Sequence, residues 1–108
     1  MTNPIAVFGS INMDLVVYSS AKPKDGETIF GKNFETFLGG KGANQAVASS
    51  RTGSNVSFVG KVGNDLYGEL LRERLDSENI DTELLESHDG ESGVALINVD
   101  ESKSQNQL

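Results

Sequence analysis

A length of 108 residues bounds the chain to one small domain, and 36% hydrophobic residues with no tryptophan allow only a modest core. Sixteen acidic against nine basic residues give a net charge of −7, with the acidic excess mostly between residues 65 and 101, which argues against nucleic acid or an anionic membrane surface as a partner. Cysteine is absent, so a disulfide framework and a thiolate metal site are both excluded.

Residues 5–8, Ile-Ala-Val-Phe, form a short apolar run ended by Gly9, which predicts a buried central strand. No basic segment precedes the apolar residues 4–17, and no apolar run approaches the length of a membrane span, so a cytoplasmic protein is expected. Asn12 and Asp14 then alternate with Ile11, Met13 and Leu15. In extended backbone, residues two apart share a face, so the amide and the carboxylate point the same way. Such a pair suits adjacent hydroxyls of a sugar; it equally suits a turn whose side chains bond local backbone. Residues 15–18 continue as strand, and residues 19–26, with Pro23 and Asp25-Gly26, make a turn-rich connection. Two further strands are predicted at 27–30 and 33–38; Phe30, Phe34 and Phe37 there suit either a ligand cover or a core.

The run Gly39-Gly40-Lys41-Gly42-Ala43-Asn44-Gln45-Ala46 predicts a glycine turn opening a helix over 42–52. Ala43, Ala46, Val47 and Ser50 fall on one stripe, and Gly53 stands where a C-terminal cap is expected. The first N–H groups of a helix lack internal partners, and glycines admit close approach, so a small polar or anionic ligand fits there beside Lys41 and Asn44. A tight turn needing glycine for its backbone angles is the alternative. A second core strand is expected at 56–59, a loop at 60–65 with Asn64 or Asp65 capping the next helix, and an apolar stripe of Leu66, Tyr67, Leu70, Leu71 and Leu75 on that helix. Pairs Glu69–Arg72 and Arg72–Asp76 are expected on its polar side. A short segment at 82–85 follows; the lone His88 sits in a polar run, with no catalytic role expected, and residues 93–99 read as strand. This order implies right-handed βαβ units and a mainly parallel sheet.

Gly9-Ser10-Ile11-Asn12-Met13-Asp14, followed by Gly39-Gly40-Lys41-Gly42-Ala43-Asn44-Gln45-Ala46, resembles the ribokinase branch of the PfkB carbohydrate kinase family in wording, order and separation. The similarity runs on through residues 60–68 and 93–97, nearly the whole chain. Lys41 with Gly42-Ala43-Asn44 fits that branch better than the fructokinase-like G-G-A-P-A-N. The resemblance implies an α/β ribokinase-like fold, with a parallel βαβ core and a small β-sheet lid at about residues 15–38 that also mediates dimer contacts. It implies Asn12, Asp14, Gly40, Lys41, Gly42 and Asn44 as contacts of a small sugar, D-ribose, or of another sugar or nucleoside in a sister kinase. ATP, Mg²⁺ and a monovalent cation such as K⁺ are implied for the family.

The family's anion hole and catalytic aspartate come from a C-terminal D-T-x-G-A-G-D motif, which is absent from these 108 residues. The chain is therefore read as the N-terminal, sugar-contact portion of such a kinase: truncated, without nucleotide, cation or catalytic residues of its own, and inactive alone. Residues 100–107 match the polar turn that follows the last strand in the family. A sugar-binding or interaction module is the non-enzymatic alternative.

Overall fold

A computed structural model describes residues 4–101. Strand β1 (Pro4–Phe8), strand β2 (Asn12–Ser19) and strand β3 (Asn33–Gly39) lead into helix α1 (Lys41–Arg51); strand β4 (Asn55–Gly63), helix α2 (Leu66–Ser77), strand β5 (Leu85–His88) and strand β6 (Val94–Asp100) follow. They build two sheets. The first has order β1-β4-β5 and is wholly parallel; the second has order β3-β2-β6, with β3 antiparallel and β6 parallel to β2. The α/β class and the parallel βαβ core are as the sequence implied.

Val56, Phe58 and Val62 share one face of β4 and are buried, whereas Ser57, Val59 and Lys61 on the other face are partly or fully open. Both helices lie against β4, and α2 also reaches β2, where Met13 and Leu15 enter the same core as Ala43, Ala46, Leu71 and Leu75. Each helix ends in a tight cap. After α1, Gly53 at φ 101° sends its N–H to Ser50 while Ser54 reaches Ser49. After α2, Asn79 takes the glycine's place at φ 61°, with its N–H on Asp76 and that of the buried Ile80 on Leu75.

Several sequence expectations are corrected. β1 is an edge strand, and Phe8 on it is 86% exposed, because nothing among the described residues covers its second face. Residues 27–30 are not a strand: Pro23 and Gly26 keep the whole connection from 20 to 32 irregular, and Phe30 projects into solvent. Residues 60–63, expected as loop, continue β4 because Gly60 to Gly63 pair with Leu85 to His88. His88 accordingly closes β5 rather than lying in a loop.

Leu66 faces water at the start of α2, since the helix buries only the stripe through Gly68, Leu71 and Leu75, flanked by Tyr67 and Leu70. The polar side of α2 is also wired differently. Arg72 donates to the carbonyls of Thr82 and Leu85, and Asp76 accepts from Thr82, so each bonds across to the next segment rather than along the helix. Of the turn expected at 100–107, residues 102–107 lie outside the described residues.

Candidate functional site

The turn between β1 and β2 and the entrance of α1 are built against each other. α1 starts without a capping side chain of its own: Gly40 stands at the N-cap with φ 100°, and the first turn holds no acid. Ser10 supplies the missing acceptors. Its Oγ accepts from the N–H of Lys41 at 3.1 Å and of Gly42 at 3.5 Å, and its carbonyl accepts from Ala43 at 3.0 Å. A Cβ on Gly42 would fall 2.7 Å from the backbone of Gly9, and one on Gly40 would fall 2.6 Å from the Ser10 carbonyl. The glycines are therefore required by a backbone seam, and the N–H groups expected to await a ligand are occupied by Ser10.

β2 carries Asn12 and Asp14 away from this seam on one face, both partly exposed. Asn12 Nδ2 donates to Asp14 Oδ1 at 2.7 Å, which fixes the amide orientation and leaves the Asn12 carbonyl and the second carboxylate oxygen to accept from hydroxyls. Gly39 pairs with Asn12 across the strands, and its bare backbone lies against both side chains. Gly93 closes the other side of Asn12, tied to β2 by the bond from Met13 N–H to its carbonyl.

Register adds Ala95 and Ile97, which spacing alone did not single out, to Phe37, expected as ligand cover or core. Phe37 and Ala95 flank Asp14 on β3 and β6, and Ile97 lies beside Val16, all on the Asp14 face. Phe37 and Ile97 keep 44% and 40% of their surface open, an apolar ledge next to the carboxylate. Further along the same face a hydrogen bond with Glu35, reinforced by partial burial, holds the Tyr18 phenol above its usual value.

Asn12 and Asp14 thus meet at Gly39, whereas Gly40 and Gly42 pack into the adjoining seam against Gly9, Ser10 and Ile11. Lys41 is exposed at the tip of the turn. Asn44 is exposed one turn further along α1 and borders a hollow of about 340 Å³ with Leu38, Val47, Ala48 and Arg51, closed by the Arg51–Glu78 ion pair. A second hollow of about 290 Å³ lies beyond β4, beside Asp65 and Arg72. Among the described residues no group of three or more His, Asp or Glu side chains is placed to hold a metal ion, and no helix is long and apolar enough to cross a membrane.

The chain matches the family described as pfkB family carbohydrate kinase over residues 2–108. It belongs to the PfkB carbohydrate kinases. Over 95 residues it is 50% identical to the ribokinase of Bacillus subtilis, covering 86% of this chain and 32% of that protein. It is 41% identical over 105 residues to the deoxyribokinase of Salmonella typhi, covering 96% of this chain and 34% of that one. The ribokinase of Arabidopsis thaliana, solved with ribose and ATP, superposes with a TM-score of 0.87 at 36% identity, over 97% of this chain and 34% of its own. The fold is therefore ribokinase-like, and the chain spans about a third of the length of the relatives it matches.

Proposed function

We propose that the chain forms the sugar-contact portion of an ATP-dependent carbohydrate kinase acting on D-ribose. One observation carries this reading: Asn12 and Asp14, hydrogen-bonded to each other, line one face beside the Gly39–Gly40 turn and next to an apolar ledge. A charged acceptor beside a neutral amide matches vicinal hydroxyls, and Phe37 and Ile97 match the C–H face of a sugar ring. Gly40, Lys41, Gly42 and Asn44 complete the contact set. The second sheet serves as the lid, and its open edges β3 and β6 are where two copies pair.

In the reaction the sugar's hydroxymethyl oxygen bonds to the γ-phosphorus of ATP as the bridge to ADP breaks, and a base takes the hydroxyl proton. The D-T-x-G-A-G-D motif, which supplies base and anion hole in the family, does not occur in these 108 residues, so the expected outcome of an ATP-dependent phosphorylation assay on the isolated chain is no transfer to D-ribose.

A second sugar is favoured by a specific likeness, the 41% identity to a deoxyribokinase. Parallel titrations of D-ribose and 2-deoxy-D-ribose separate the two. Tighter binding of ribose is the expected result, and tighter binding of the deoxy sugar transfers the assignment.

A further inference from the structure

We propose that Ser10 is a positioning residue for the sugar site, acting through the Gly39–Lys41 turn rather than by touching the sugar; this rests on the sugar-binding reading above. α1 has no cap from its own chain neighbours, and its first three N–H groups all end on Ser10, two on the hydroxyl and one on the carbonyl. A residue two positions ahead of Asn12 thereby caps a helix that begins 31 residues later in the sequence. Gly40 and Gly42 press backbone to backbone against Gly9 and Ser10, so the seam has little slack normal to its surface.

The glycine contacts resist motion across the seam; sliding along it is opposed by the Asn12–Gly39 end of the β2–β3 ladder, by the Ala43 bond to the Ser10 carbonyl and by the Ser10 hydroxyl. Sliding matters because Gly39, directly before this turn, lies against both Asn12 and Asp14 and pairs with Asn12. Ser10 is exposed, so its hydroxyl is not needed to fill space; its acceptor geometry is what the helix uses. With the hydroxyl gone, the N–H groups of Lys41 and Gly42 turn to water, and the turn no longer holds one position relative to the Asn12–Asp14 pair.

The test uses nitrogen-15 spectra of the ligand-free chain followed by D-ribose titration, on wild type, Ser10→Ala, Ser10→Thr and Thr82→Ala. Thr82→Ala removes a bond to Asp76 at the far end of α2 and controls for general loosening. In Ser10→Ala the Lys41 and Gly42 amides exchange faster, the Asn12 side-chain amide and Gly39 signals move, and ribose binds about three- to tenfold more weakly. Ser10→Thr restores all three; Thr82→Ala changes none of them. Ser10→Cys, whose sulfur is a weak acceptor, gives the same displacement should the alanine variant not fold. Folded Ser10→Ala with wild-type Asn12 and Gly39 signals overturns the proposal. If those signals move while the wild-type chain takes up no ribose, the positioning stands and the sugar reading falls.

Discussion

An alanine at position 42 would carry its Cβ to 2.7 Å from the carbonyl carbon and Cα of Gly9 and from the nitrogen of Ser10, all backbone atoms that cannot swing aside. Gly42→Ala therefore lowers stability by about 1–3 kcal/mol even though alanine is the better helix former, because overpacking outweighs propensity here. Denaturant unfolding checks this; an unchanged or raised midpoint would show that the seam yields. The sequence displayed these glycines plainly, but as a tight turn or a ligand cradle, with the turn the commoner use of such a pair. The close packing shows only with the partner segment, Ser10, which no local pattern marks as a helix cap. Asn12 and Asp14 were legible for a simpler reason: period-two alternation depends on nothing outside the strand.

Asp65 shows how one side chain organises an element. As N-cap of α2 it accepts from Gly68 N–H at 2.8 Å, and it accepts from both the N–H and the hydroxyl of Ser92, whose Oγ in turn accepts from Gly63. This knot joins the end of β4, the start of α2 and the segment entering β6, where Gly93 borders Asn12. The Ser92 N–H and hydroxyl, then the Gly68 N–H, hold the Asp65 carboxyl below its ordinary 3.8. A carboxyl depressed in the folded state contributes stability that is complete above its unfolded pKa and is lost as pH falls through the folded value. Melting temperature should therefore drop as pH is lowered below about 4, and Asp65→Asn should melt lower at neutral pH with a flatter acid limb. An acid limb of unchanged slope in the variant would remove Asp65 from the account; Glu78, also depressed by Arg51, shares the same sign.

The cap of α2, narrowed to Asn64 or Asp65, and its stripe, apart from Leu66, were readable because both are local. The bonds of Arg72 to residues 82 and 85 were not, since helix spacing predicts partners three or four residues away and the folded chain offers part-buried carbonyls further on. Leu71 is fully buried, and Leu71→Ala should cost about 2–5 kcal/mol in chemical denaturation.

At the scale of the molecule, the described residues spread over 53 × 34 × 18 Å, a thin body with the second faces of both sheets largely open. Leu96 at 81% and Phe34 at 57% exposure lie on the edge strands of the second sheet. Edges with unpaired backbone groups and apolar side chains recruit further strands, so the chain should associate with rising concentration, and Leu96→Lys should shift it toward monomer in sedimentation experiments. A wild-type chain that stays monomeric across the concentration range would contradict this. The exposure of β1 and the pairing of β6 with β2 were beyond sequence reasoning for one shared reason. Each depends on what lies across the fold, and in β6 the partner is about 80 residues away.

The most direct measurement is a calorimetric titration of D-ribose into the chain, with Asp14→Ala beside it. Saturable heat from the wild type and an affinity at least about tenfold lower in the variant are expected, the loss of hydrogen bonds to a charged acceptor. Equal heats from the two folded proteins, or none from the wild type, would contradict a sugar site built on Asn12 and Asp14.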